Sequence, residues 1–186
     1  LKKHSLKAPS LYHGGVYHEQ EQAERTVPET LALANHAVTV GCGMINVNPS
    51  PKKGGEEKTE EELIVQAEYL NKLGSELYKM GLGLVLHNHT PEIINDAREL
   101  RANCAYTNPR HVNLCLDTHW VLRGGLDPFN LMRAYRNRVK SLHIRNSIDG
   151  VWSEALGDGD INHAEMRNLL DEIGFNGWIF VELAYE

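Results

Sequence analysis

The stretch Leu84-Val85-Leu86-His87-Asn88-His89-Thr90-Pro91 passes from a short aliphatic run to polar residues and then to a helix start. Consecutive aliphatic residues leave no polar face, which suits a strand covered on both sides, as in a parallel sheet. Thr90 as N-cap with Pro91 at the first helical position then opens a helix carrying Ile93, Ile94, Ala97 and Leu100. A strand over Leu84 to His89 followed by that helix makes one βα unit with polar side chains at the strand exit.

The same unit recurs on both sides. Upstream, Ala8 to Tyr12 reads as a strand running into His13-Gly14-Gly15, with Thr26, Pro28 and Glu29 as start signals of the following helix. Met44 to Asn48 reads as the next strand, closed by Pro49 and Pro51 and followed by a charged, glycine-containing loop, residues 52–58. Thr59 and Glu62 form a capping box, and Leu63, Ala67, Leu70, Leu73 and Leu77 keep helical spacing toward Gly81. Downstream, Val112 to Asp117 and Val139 to Ile144 are strands separated by a helix that Asp127-Pro128 opens. A long loop rich in Gly and Asp leads to Asn162 and Glu165, a helix toward Gly174, and a last strand from Trp178 to Leu183.

Strands alternating with helices specify right-handed βαβ units and a parallel sheet, an α/β fold. A dinucleotide-binding sheet would show a G-x-G-x-x-G turn after a strand, and none occurs. An eight-stranded (β/α)8 TIM barrel instead gathers polar residues at the C-terminal ends of its strands. Asn46 and Asn48, His87 and His89, Asp117 and His119, His143 and Arg145, and Glu182 occupy those places. Six units do not close such a barrel, for which about 250 residues is typical. The expectation is therefore an incomplete barrel over residues 1–186, strands three to eight, lacking the first two βα units and the last helix.

With 41% hydrophobic and 24% charged residues, the 186-residue chain has an ordinary globular balance. Its net charge of −6 offers no field for nucleic acid or an anionic membrane, and no apolar run spans a bilayer. Small-molecule partners are expected, with a homo-oligomer left open. Three cysteines without paired spacing fit a reducing compartment, hence a cytoplasmic location.

Asp, His and Glu together suit a divalent cation, and Asp117, His143 and Glu182 supply one each from successive strands, with His87 as a fourth ligand. Such an ion would polarise a substrate carbonyl or hydroxyl and stabilise the enediolate formed when the adjacent carbon loses a proton. Glu182 is then ligand and base together, with His89 or His119 as partner acid or base. Arg145 reads as a holder of substrate or as a salt bridge within the mouth. Trp120 reads as a stacking wall for a substrate face or as packing. Asn46 and Asn48 are hydroxyl donors or turn residues, Glu154 joins from the long loop, and Tyr12 and His13 are weaker contacts.

The runs Val85 to His89, Leu114 to Trp120 and His143 to Asn146, with Val181-Glu182, resemble the sugar phosphate isomerase/epimerase superfamily, whose fold is the xylose-isomerase-like barrel. That resemblance implies an ion, Mn2+ first and Mg2+, Co2+ or Zn2+ as alternatives, on His87, Asp117, His143 and Glu182. It implies a sugar or sugar phosphate isomerase or epimerase. His87 stands where tagatose-epimerase-like members place a glutamate, with Glu92 further on. The run from His143 to Asn146, with Glu154 and Asp158-Gly159-Asp160, is similar to mannonate dehydratases, which makes a sugar-acid dehydratase the alternative. Cys115 lies two residues before the position where those enzymes carry a cysteine ligand. A non-catalytic carbohydrate-binding barrel is the remaining reading.

Overall fold

The computed structural model of the chain describes residues 1–182. Six strands run parallel in one sheet: β1 (Ser10–Gly15), β2 (Met44–Pro49), β3 (Gly83–His87), β4 (Val112–Asp117), β5 (Val139–Ile144) and β8 (Trp178–Val181), hydrogen-bonded in that order. Between them lie α1 (Gln20–Val40), α2 (Glu60–Lys79), α3 (Thr90–Tyr106), the short pair α4 (Thr118–Arg123) and α5 (Pro128–Ala134), and α6 (His163–Glu172). A small antiparallel hairpin, β6 (Asn146–Ile148) with β7 (Val151–Ser153), follows β5. The sheet is an open arc of a (β/α)8 barrel, with β1 and β8 as its edges.

Alternation along each strand sorts the side chains. Ile45, Val47, Leu84, Leu86, Leu114, Leu116 and Leu142 face the helices and join Leu70, Leu73, Leu77 and Leu100 in the main core. On the other face stand Asn46, His87, Cys115, Asp117, Ser141 and His143, a polar lining where a closed barrel ordinarily carries branched aliphatics. Registers pair His87 with Cys115, Cys115 with Ser141, and Asp117 with His143, so the polar residues stack in rows across the arc.

The capping box of Thr59 and Glu62 is present, Asp127 caps α5, and Asn162 Oδ1 accepts from the Ala164 and Glu165 amides. Several expectations need correction. The first helix begins at Gln20, with Pro28 inside it, because Ala23, Val27, Thr30, Ala34 and Ala37 form one buried stripe that starts a full turn before Thr26. The first strand is Ser10–Gly15 rather than Ala8 to Tyr12. The third strand stops at His87, and His89 rather than Thr90 is the N-cap of α3. That helix breaks where Asn95, Asp96 and Ala97 take positive φ, which leaves Ile94 at the surface while Ile93 stays in the core. The last strand ends at Val181, and its Leu183 end lies outside the described residues. Ile179 and Val181 are 44% and 60% exposed, because among the described residues this edge strand is hydrogen-bonded only to β5. The long loop after β5 contains the β6-β7 hairpin. No helix among the described residues is long and apolar enough to cross a membrane.

Candidate metal centre

Parallel strands bring their carboxyl ends to one side of the sheet, so a polar residue at each exit meets its counterparts. Ligand atoms of His87, Asp117, His143 and Glu182 lie within 4.8 Å of one another. His87 Nε2 is 3.7 Å from Asp117 Oδ2 and 3.9 Å from Glu182 Oε2, and His143 Nδ1 is in direct contact with Glu182 Oε2. The set fits a divalent ion by its chemistry: two imidazoles and two carboxylates are ligands that Mn2+, Co2+ and Zn2+ all accept. His87 also carries a buried Nδ1 without a hydrogen-bond partner among the described residues.

Asp117 is fully buried and both its oxygens are used. Oδ1 accepts from the amides of His119 and Trp120, capping α4, and Oδ2 accepts from Arg145 Nη2 at 3.0 Å. Arg145 Nη1 lies 3.6 Å from Glu182 Oε1, and its guanidinium sits 4.8 Å from the Trp120 ring and 4.5 Å from the Trp152 ring. This arginine, 1% exposed, is thus an ion-pair partner inside the mouth. Asn88 ties the exits of β3 and β4 by donating to the Asp117 carbonyl and accepting from its amide. Spacing along the sequence assigns Asn88 no role.

Charge is distributed unevenly. Burial pulls the His143 imidazole down, but hydrogen bonds with Cys115 and Glu182 outweigh it and push the group up to about 10. The same bond with His143, opposed by burial and aided by Arg145, holds Glu182 at about 2. Burial, then the neighbouring His87, lowers His89 to about 4, well below the neutral range expected of an acid-base partner. Burial and Glu99 raise Glu92 to about 7.

An open cavity of about 520 Å³ borders the cluster, lined by Tyr12, Asn46, His87, His89, His143, Phe180 and Glu182 among others. Trp120 packs edge-on against His89, with ring centroids 5.5 Å apart, and Tyr12 against His87 at 6.1 Å. Asn46 offers a buried Oδ1 without a partner among the described residues, whereas Asn48 donates its amide to the His87 carbonyl. His13 does not line the cavity and bonds Thr30 instead. Glu154 stands exposed beyond β7 and does not line the cavity. His119 is buried behind Asp117, its Nε2 2.8 Å from Ser147 Oγ. Phe180, 5.2 Å from His143, is a lining residue that the strand pattern placed without assigning a role.

A model of the xylose isomerase-like TIM barrel family matches residues 1–186. The chain is 24% identical to an inosose dehydratase of Geobacillus kaustophilus (strain HTA426), across 98% of this chain and 69% of that protein. It is 31% identical to an inosose dehydratase of Clostridium tetani (strain Massachusetts / E88), across 67% of this chain, and spans about half of that relative, 48%. Among solved structures, a sugar phosphate isomerase/epimerase from Parabacteroides distasonis ATCC 8503 superposes with TM-score 0.79 at 21% identity, over 100% of this chain and 66% of that one. The IOLI protein with a binding zinc atom gives TM-score 0.76 at 18% identity, over 95% of this chain and 67% of that one. At these identities the structural likenesses show the fold.

Proposed function

Because the chain belongs to the xylose isomerase-like TIM barrel family, a family with isomerase, epimerase and dehydratase members, we propose that it is the metal-holding part of a divalent-metal-dependent sugar isomerase or epimerase. The observation that carries this reading is the convergence of His87, Asp117, His143 and Glu182 at four strand exits, with an open cavity beside them. These four would hold the ion. When bound, the ion would supply positive charge to a substrate oxygen on which negative charge develops.

The remaining work falls to side chains. Glu182, anionic at neutral pH, takes the proton on the carbon next to the carbonyl. Arg145 bonds Asp117 and faces Glu182, which fixes the carboxylate geometry and compensates part of its charge. His89, neutral at pH 7, lines the cavity and accepts a hydrogen bond from a substrate hydroxyl. Asn46 donates its amide to another hydroxyl. Trp120 walls the mouth beside His89.

A second reading, dehydration, is favoured by the names of the curated relatives, which are inosose dehydratases, and by a histidine at position 87 where a two-carboxylate proton exchange would need a second base. Both readings begin with the same proton removal. They diverge afterwards: the proton returns to carbon in the first, and a hydroxyl leaves as water in the second. The test is metal content of purified protein by elemental analysis, wild type against Glu182→Gln and His143→Ala, with ketoses and keto-cyclitols then supplied in deuterated water. Stoichiometric Mn2+, Co2+ or Zn2+ lost in both variants, with deuterium incorporated and no water lost, supports the first reading. Loss of water supports the second, and an ion that never binds even on supplementation overturns both.

A further inference from the structure

The hairpin β6-β7 is fastened to the loop behind it by side chains that the proposed proton transfer does not use. Asp160 Oδ2 accepts the Ser147 hydroxyl proton at 2.5 Å, and Asp160 also accepts from the Asp149 and Gly150 amides in the hairpin turn. The Asp160 amide donates to the Ser147 carbonyl, and Asn146 Oδ1 accepts from the Ile161 amide. Gly159 is required for this approach: a Cβ there would stand 2.4 Å from the Ser147 carbonyl oxygen.

The hydrogen count then fixes a histidine. A serine hydroxyl has one proton, and here it goes to the carboxylate. Ser147 Oγ can therefore only accept from His119 Nε2, 2.8 Å away, so His119 carries its proton on Nε2. Its Nδ1 is buried and has no hydrogen-bond partner among the described residues. The His119 ring lies against Trp152 at 4.2 Å between centroids, and Trp152 lies over the Arg145 guanidinium at 4.5 Å.

We propose that Asp160, Ser147 and His119 form a chain of positioning residues that locks the Trp152 hairpin over Arg145 at the rim of the site. The inference rests on the functional reading above, since Arg145 in turn orients Asp117 and Glu182. It gives His119 a role other than acid-base chemistry: a fixed donor and a stacking platform. Cutting the chain leaves Trp152 to be ordered each time substrate binds, and ordering one such side chain and its turn costs enough to weaken binding by about tenfold.

The test uses the full chain. Long-range 1H–15N correlation of the His119 ring is expected to show a proton on Nε2, and a ring protonated on Nδ1 alone overturns the proposal. Acrylamide quenching of Trp152, taken as the difference from Trp152→Phe, is expected to rise in Asp160→Asn and in Ser147→Ala, and unchanged quenching overturns it. With a turned-over substrate, both variants are expected to raise KM by about tenfold while kcat stays within about twofold. A fall in kcat at constant KM assigns the chain to chemistry and overturns the positioning role. If Asp160→Asn fails to fold, the tautomer of the wild-type protein still decides. The tautomer and quenching readouts need no turnover, so failure of the catalytic reading would be recognised separately, by an inactive wild type with the chain intact.

Discussion

Replacing Asp117 by alanine in the metal-free protein removes two interactions whose costs can be worked separately. The first is the N-cap of α4, where Oδ1 accepts from the His119 and Trp120 amides, and losing such a cap costs about 1 kcal/mol. The second is the ion pair with Arg145, whose side chain is 2% exposed against 0% for Asp117. Removing one member of a buried pair costs roughly 3–5 kcal/mol because the other is left uncompensated. The low end applies here, since Arg145 keeps Glu182 at 3.6 Å. Asp117→Ala is thus expected to lose about 4 kcal/mol, a large part of the roughly 5–15 kcal/mol that holds a domain folded. Asp117→Asn retains the cap through its amide oxygen but turns an NH2 toward Arg145, losing the charge and the hydrogen bond from the guanidinium, for about 3 kcal/mol. In the double variant Asp117→Asn/Arg145→Met both charges are gone, and stability should recover by about 2 kcal/mol over Asp117→Asn alone. Urea unfolding in the presence of EDTA measures wild type, these three variants and the single variant Arg145→Met, which completes the cycle. The reasoning is refuted if Asp117→Ala falls within about 1 kcal/mol of wild type, or if the double variant equals the sum of its singles.

Glu92 is 2% exposed, and burial with Glu99 holds it at about 7, above its ordinary range. A carboxyl raised in the folded state contributes stability at low pH that is lost as pH rises from about 4.5 through about 7. Glu92→Gln, whose amide oxygen still accepts from the His89 amide, is therefore expected to be more stable than wild type by about 1–3 kcal/mol at pH 8 and no more stable at pH 4. Equal pH profiles from thermal unfolding would show that Glu92 ionises freely. At Gly177, a Cβ would stand 2.1 Å from the Lys140 carbonyl oxygen and 2.6 Å from Phe175 Cζ. Backbone cannot yield as a side chain does, so Gly177→Ala should destabilise by about 2–3 kcal/mol, read as a lower Tm, and an unchanged Tm would place that carbonyl elsewhere.

The βα period was legible because buried parallel strands write themselves as short apolar runs that end in polar residues, as in Leu84-Val85-Leu86 before His87 and Leu114-Cys115-Leu116 before Asp117. The convergence of His87, Asp117, His143 and Glu182 was legible for a related reason: parallel strands end on one side, so polar residues at equivalent exits meet without any long-range information. The start of α1 was hidden because Thr26, Pro28 and Glu29 imitate a helix N-terminus while the buried stripe begins at Ala23. The β6-β7 hairpin was hidden because its ties are side chain to loop, from Asn146 and Ser147 to Asp160 and Ile161, and leave no periodicity to read. The lowered His89 and raised Glu92 depend on burial and on neighbours from other elements, which spacing along one chain does not encode.

Asp117 shows why reading such a residue as either a helix cap or a metal ligand poses a false choice. At a strand exit that runs straight into α4, the backbone amides of His119 and Trp120 point back at the side chain and take one oxygen. A carboxylate is planar, so fixing Oδ1 on the cap also fixes the direction of Oδ2, which is then presented to Arg145 and His87 with its rotamer already determined. The cap supplies the preorganisation that a ligand needs, at no further entropic cost when an ion binds. A strand-to-helix exit with Asp at the cap position therefore favours ligation, because the interaction that would explain the residue structurally is the one that aims its second oxygen into the site.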